Sequence, residues 1–434
     1  GRSGVRRNTR PGTRGGRRAM TTQKWITSVL VASAVMASPQ IARAERSRPD
    51  AVPLGEAVTA IAPDELSVYN DYATPARTHS SRRAVVHYVV VGVDAPPLND
   101  DDGDGVPDYV ERVGDAADTA IAYYEQHGFV PIEPDRGGPD ERPDLYITRF
   151  APGYFGISFP TADAAGGAFV ALSNSLDPSP ERSLGSLYAT VAHEVFHLVQ
   201  FSYFEREHDA PLPGWALEGM AAAAENMVYP DLADIVSDLQ LKPWFSAPQM
   251  PLTTQSYGAQ LLWRYLDAHA PRVMPAFLSS VAASRPSSYA ARLAAIYGRV
   301  APHSFASAFV DFATWVAEND GARITPLESL HPGQRATEHV APLAIDYLRL
   351  PRNTRSVTVR LAHATAGVEL TTERASKYAG GPSTSQRVRG RPVGRALVFT
   401  IPRRVLRDPR LDTLTLVVAN GHAAHTAAYS VSVA

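Results

Sequence analysis

The sequence predicts an α+β fold: a small mixed sheet with helices over residues 83–335, followed by an all-β sandwich over 340–434. Three observations carry that reading. Short β-branched runs between 84 and 174 are interleaved with helical repeats. Three- and four-residue apolar spacing dominates from 213 to about 320. From about 340, short alternating segments are divided by Gly, Pro and Asn turns.

Taken in order, "AVVHYVVVGV" from 84 reads as a buried strand, and the acidic turn after it leads into a helix over Pro107–Gln126. Val110, Val113, Ala117, Ile121 and Tyr124 form that helix's apolar stripe. "PDLYITRF" and "GGAFVALSN" read as two more strands. A long helix is expected from Ser179, its N-cap, with Pro180 in the first turn, through "LYATVAHEVFHLVQFSYF". Further helices follow in "GWALEGMAAAAENMV", "SYGAQLLWRYLDAHA" and "HSFASAFVDFATWVAEN". The strands of the sandwich are "SVTVRLAHA", "GVELTTE", "ALVFTIP", "LDTLTLVVANG" and "AAYSVSVA".

The first 44 residues read as an N-terminal extension and a secretory signal. Residues 1–19 are arginine-rich. From Met20 a basic Lys24, an apolar run and Ala42-Arg43-Ala44 follow, so cleavage is expected near Ala44 and the mature chain in the extracellular or periplasmic space. That apolar run is too short to span a bilayer, and no later stretch is long and apolar enough to do so. Residues 45–82 read as a leader or linker, with a pro-segment as the alternative. A net charge of −2 gives no concentrated basic field, so no nucleic-acid partner is expected. The chain has no cysteine, which excludes disulfides and leaves His, Asp and Glu to hold any metal.

The chemistry concentrates in "TVAHEVFHLVQFSYF". Residues four apart share one helix face about 6 Å apart, so His193 and His197 can address one ion. Glu194 lies about 100° round the helix, where it can reach a water rather than the metal. Tyr188, Ala192, Val195 and Val199 supply the apolar stripe that seats the helix. A catalytic zinc takes three protein ligands and keeps one position open. Glu218 in "WALEGMAAAAEN", 21 residues beyond His197, is the third-ligand candidate, with room for a loop and a reversal between the helices. Gly219 would permit close helix approach and Trp215 would pack the helix start. The bland alternative is two core histidines and surface glutamates. The metzincin pattern fails, since Gln200 and Tyr203 stand where it needs Gly and His.

"DGDGVPDY" at 102–109, "VAHEVFHLVQ" at 191–200 and "WALEG" at 215–219, in that order, resemble secreted bacterial zinc metallopeptidases of the gluzincin (peptidase MA-like) clan. The resemblance covers roughly 84–270. It implies a gluzincin-like catalytic domain with zinc on His193, His197 and Glu218, and Glu194 activating the zinc-bound water for peptide hydrolysis. In the thermolysin-like branch an Asp four residues beyond the third ligand supports a ligand histidine. Here that position is Ala222, and Glu225 is the substitute candidate. Tyr257 is the candidate oxyanion stabiliser, and "GGAFVALSN" is expected to be the edge strand that pairs with a protein or peptide substrate.

"DDDGDGVPDYVE" fits a twelve-residue calcium loop position by position. Asp100, Asp102 and Asp104 fill positions one, three and five. Gly105 makes the sharp turn, Val106 offers its carbonyl, and Asp108 and Glu111 fill nine and twelve. A structural ion joining strand to helix is the reading, against a solvated acidic turn.

His208, His269, His303, His331 and His339 lack ligand spacing. Arg387, Arg389, Arg391 and Arg395 read as a solvated basic loop. The β module could contact a cell surface. The function expected is a secreted zinc endopeptidase with structural calcium. Its rivals are a non-catalytic, calcium-stabilised surface or adhesion protein with structural zinc, and a zinc hydrolase of other amides or esters.

Overall fold

The computed structural model describes residues 76–434 apart from 135–139, 151–153, 161–166, 179–185, 205–211, 231–234, 363–365 and 375–383. The expected signal segment, most of the leader, the Ser179 cap with Pro180, and His208 lie outside the described residues.

The first sheet contains β1 (Arg77–Ser80), β2 (Val85–Tyr88), β3 (Asp144–Thr148), β4 (Gly156–Pro160) and β5 (Ala168–Ser173), in the spatial order β1-β2-β3-β5-β4. The central strands β2, β3 and β5 are parallel; β1 and β4 run antiparallel at the two edges. Strand β2 ends four residues in, earlier than its apolar run suggests. Gly92 takes a left-handed φ of 92°, and Val91 and Val93 are exposed at 57% and 64%. The apolar letters continue after pairing has stopped. "GGAFVALSN" is not an edge either: β5 is paired on both sides, and the edge belongs to β4, which the sequence reading passed over.

Helix α1 (Asp108–Gln126) lies on one face of this sheet, close to its expected bounds. Tyr109 donates from its hydroxyl to the Ser173 carbonyl at the end of β5 (2.6 Å). Tyr124 donates to the Ala192 carbonyl (2.7 Å), tying α1 to the next helix, α2 (Leu187–Ser202). Helix α2 starts later than the sequence suggests. Ser186 is extended and forms a bridge with Asp177, so it is the residue at the cap position. The helix is buried on nearly every face, with Val191, Val195, Phe196 and Leu198 at 0% exposure, while Tyr188 is only half-buried.

Helix α3 (Gly214–Val228) spans the predicted stretch and packs beside α2. The helical region continues through α4 (Ile235–Ser246), α5 (Gln260–His269), α6 (Val273–Ala283), α7 (Tyr289–Val300) and α8 (Phe305–Asn319). Gly219 does permit close approach, but towards α5 rather than α2: a Cβ there would sit 2.9 Å from Ala259 Cβ and 3.1 Å from the Trp263 ring. Trp215 stacks on Trp263 with centroids 5.5 Å apart, and Trp263 Nε1 donates to the Trp215 carbonyl. No helix among the described residues is long and apolar enough to cross a membrane.

The C-terminal strands begin a little before 340. They are β6 (Glu328–Ser329), β7 (Arg335–Val340), β8 (Ala344–Leu350), β9 (Ser356–Leu361), β10 (Ala366–Arg374), β11 (Thr384–Val388), β12 (Gly390–Val393), β13 (Ala396–Thr400), β14 (Leu411–Asn420) and β15 (Ala427–Val433). A four-residue helix α9 (Arg403–Leu406) precedes β14. They form two five-stranded sheets, β11-β10-β14-β8-β6 and β12-β13-β9-β15-β7. Strands β8 and β14 read as continuous apolar runs because both faces are covered. Ala344, Leu348, Leu414, Leu416 and Val418 face the sandwich core. Ile345, Tyr347, Val417 and Ala419 join the core of the helical region. Tyr347 donates to the Ala313 carbonyl of α8 (2.9 Å), and a Cβ on Gly421 would meet the Ala306 backbone at 2.5 Å. The sandwich and the helices therefore share one core cluster. Arg387, expected in a solvated loop, instead pairs with Glu318 and Asp311 of α8; its strand β11 lies against that helix.

One polar pair interrupts the sandwich core. Asp346 on β8, 2% exposed, accepts from the Tyr429 hydroxyl at 2.9 Å. Burial pushes its carboxyl from an ordinary 3.8 up to about 6. A folded value above the unfolded one means the proton is held more tightly in the fold. Stability therefore falls as pH rises from about 4 through 6, by about 3 kcal/mol in total. Asp346→Asn keeps an acceptor without a charge. Its thermal midpoint is expected to match wild type near pH 4 and to exceed it by several degrees at pH 8, as followed by circular dichroism.

Candidate metal centre

The helix α2 places His193 and His197 one turn apart with ring centroids at 4.8 Å, both essentially inaccessible. Glu218, in the second turn of α3, faces them. Its Oε2 lies 3.4 Å from His193 Nε2 and 3.9 Å from His197 Nε2. All three atoms are buried and lack a hydrogen-bond partner, an arrangement costing several kcal/mol if left so. Ligand atoms held at 2.0–2.1 Å around a tetrahedral ion stand about 3.3 Å apart, close to the spacing observed. The donor set of two imidazoles and one carboxylate can hold a metal ion.

The other ring nitrogens explain why these Nε2 atoms are left over. His193 Nδ1 lies 2.7 Å from Glu225 Oε1, so Glu225 supplies the partner that Ala222 cannot. Glu225 is seven residues past Glu218, two turns along the same face of α3. His197 Nδ1 lies 2.7 Å from Gln200 Oε1, while Gln200 Nε2 donates to the Leu217 carbonyl at the start of α3 (2.9 Å). With each Nδ1 hydrogen given to an acceptor, the neutral ring carries its lone pair on Nε2. Gln200 closes the "VAHEVFHLVQ" motif and fails the metzincin pattern, but the sequence reading gave it no role as a partner of His197. The signal was present: a glutamine three residues from a ligand, on the same helix face, inside an apolar run.

Electrostatics distinguish the two rings. At His193 burial works against the charged form, but Glu218 and Glu225 overcome it and lift the pKa well above 6.5. At His197 burial prevails and the pKa falls below 6.5. Burial also raises Glu225, whereas Glu218 is drawn below its ordinary value by His193 and His197 in spite of burial.

Glu194 stands outside the ligand group. It is fully buried, and the Ser158 hydroxyl lies 2.8 Å from its Oε2 and 3.0 Å from its carbonyl oxygen. Ser158 belongs to the edge strand β4, and on the same strand a Cβ at Gly156 would sit 2.6 Å from Glu194 Cγ. Ser158 and Gly156 were invisible beforehand, since nothing in "YFGISFP" marks a strand apposed to the metal helix. Tyr257, in a turn just before α5, is at the centre too: its hydroxyl bonds the Glu218 carboxylate, and its ring lies 6.0 Å from that of His193.

The acidic loop is built differently. Asp100, Asp102 and Asp104 bring carboxylate oxygens within 4.8 Å of one another. Asp100 accepts from the amides of Gly103 and Gly105, and Asp104 from that of Val106, so the chain curls around them. Gly105 has φ 93°, as expected for the sharp turn. Asp108 and Glu111 are not gathered with these three. Asp108 accepts from the Asp101 amide at the start of α1 (2.9 Å). Glu111 sits in the first turn of α1, its pKa raised by burial and by the field of Asp102 and Asp104.

No protein-family model matches the chain, and no curated protein matches it. What the site can do follows from its own atoms.

The supports of the two rings generate a prediction. Glu225→Ala and Gln200→Ala each leave the three ligand atoms intact but free an Nδ1. Each is expected to weaken divalent-ion affinity by roughly 10- to 100-fold, as measured by competition with a chromogenic chelator.

Proposed function

We propose that the protein is a secreted, zinc-dependent endopeptidase of gluzincin type. The observation that carries the reading is the convergence of His193 Nε2, His197 Nε2 and Glu218 Oε2, buried and unpartnered, beside a fourth group that is not a ligand. Two imidazoles and one carboxylate make a borderline-soft donor set suited to zinc, and three protein ligands leave a position open for chemistry. A purely structural ion has no use for Glu194, whereas hydrolysis requires a base there.

When bound, zinc supplies Lewis acidity, making a water more acidic and polarising a carbonyl. Glu194 takes the proton of the attacking water and passes it to the departing amine. The hydroxyl of Ser158 holds that carboxylate in place, and the backbone of β4 crowds it through Gly156. Tyr257, with its hydroxyl on Glu218, orients that carboxylate, and by turning its single O–H away from Glu218 it would donate to a developing oxyanion. Strand β4 is the sheet edge beside Glu194, and an extended peptide can add to it through main-chain hydrogen bonds. That edge favours a peptide over other amides or esters.

Calcium at the Asp100–Asp104 loop completes the proposal. Oxygen-only ligands on a curled loop suit a hard cation. Fixing the loop fixes the start of α1, whose Tyr124 holds the backbone of α2. Millimolar calcium is expected to raise the melting temperature of the wild type and to leave Asp102→Ala unchanged.

The decisive comparison is wild type against Glu194→Gln, assayed for bound zinc and for cleavage of an unfolded protein substrate. Both are expected to hold one zinc, with turnover lower in the variant by roughly 10²- to 10⁴-fold. Equal turnover in the two would exclude Glu194 as the base.

A further inference from the structure

Charge is divided sharply along the chain. Residues 335–434 hold fifteen basic and six acidic side chains, whereas 76–334 hold sixteen basic and thirty-two acidic ones. The basic excess is not spread evenly over the sandwich. One sheet, β11-β10-β14-β8-β6, turns its outer face to the helices. The other, β12-β13-β9-β15-β7, turns its outer face away from them.

Register fixes what that second face presents. Directly opposed residues share a face, so one row across the five strands reads Arg391, Val398, Thr358, Ser432, Arg335. The next row on the same face is centred on Arg360, between Ala396 and Ser430. Arg335, Arg360 and Arg391 are exposed. None of the three has a side-chain hydrogen bond or ion pair among the described residues, unlike Arg352 with Asp412, Arg387 with Glu318 and Arg410 with Asp408. Four inter-strand steps separate Arg391 from Arg335, about 19 Å, with Arg360 between them. The outward positions of these strands are otherwise Ser, Thr, Ala, Val and His, and no acidic residue is among them. Glu338 on β7 alternates inward, towards Asp346.

We propose that this sheet face binds an acidic polysaccharide. Three uncompensated guanidiniums set across a flat sheet match repeated carboxylate or sulfate groups along an extended polymer. The small hydroxyl side chains between them suit a hydroxyl-rich chain. A bilayer is disfavoured because the exposed Val393 has no Leu, Ile, Phe, Tyr or Trp beside it among the outward positions of this face to form a wedge. Single-stranded nucleic acid is disfavoured because the face has no Phe, Tyr or Trp ring on which bases could stack. The inference stands independently of the metal site, and it would hold the acidic catalytic half next to an anionic matrix.

The test uses the full chain with dextran sulfate as the probe at low ionic strength. Uncharged dextran at matched mass concentration, and duplex DNA and phosphatidylglycerol vesicles at matched anionic charge, serve as comparators. Dextran sulfate is expected to bind and dextran not to, with DNA and vesicles weaker. The triple variant R335Q/R360Q/R391Q is expected to lose about ten-fold in affinity and part of the salt dependence. The matching triple Arg→Lys variant is expected to keep most of the binding, and R299Q on α7 all of it. Failure of the wild type to bind dextran sulfate would overturn the proposal. So would equal binding by a triple Arg→Gln variant of unchanged melting temperature, or tighter binding to DNA or to vesicles.

Discussion

Three polar atoms, buried together and given no protein partner, are the constraint on which the site depends. Proteins rarely leave such groups unsatisfied, and here each has its other end tied off. Glu225 takes one ring, Gln200 the other, and Tyr257 bonds the carboxylate. The fold spends helix α3 largely on this: Glu218 and Glu225 lie two turns apart in an otherwise Ala-rich stretch, and Leu217 offers the carbonyl that anchors Gln200. The surrounding architecture keeps the two helices still. Helix α1 holds the backbone of α2 through Tyr124, and the Gly219 contact presses α3 onto α5.

Much of this centre was legible in the sequence because helix geometry translates spacing into direction. His193 and His197 at four residues, and Glu225 at seven beyond Glu218, needed only 3.6 residues per turn to be placed. Glu218 needed the further assumption that two successive helices pack side by side, which α2 and α3 do. Residues contributed from outside those helices were not legible. Ser158 and Gly156 meet Glu194 through sheet order, and the letters of β4 and β5 do not say which strand takes the edge. An apolar run such as "GGAFVALSN" marks burial, and interior strands are the more buried. It therefore pointed to the wrong place for an edge.

Similar reasoning explains the boundaries that moved. "AVVHYVVVGV" is β-forming throughout, yet pairing ends at Tyr88, since its partner β3 pairs only up to His87 and the chain turns at Gly92. In the sandwich, β8 and β14 alternate between two cores rather than between core and solvent. That double burial makes the C-terminal strands a wall of the helical region as well as a module in their own right. Arg387 illustrates the consequence: a residue that reads as solvated in a list of neighbouring arginines is held against α8 because its strand lies there. Arg335, Arg360 and Arg391 belong to the sheet that faces away.

The central claim is that one ion is held by two imidazoles of α2 and a carboxylate of α3. Anomalous diffraction from crystals of the zinc-loaded protein, recorded on both sides of the zinc edge, tests it most directly. The account predicts a single strong peak about 2.0–2.2 Å from His193 Nε2, His197 Nε2 and a Glu218 oxygen, with Glu194 outside bonding distance. A peak bound by Glu194 in place of Glu218, or none at these residues in zinc-saturated crystals, would contradict it.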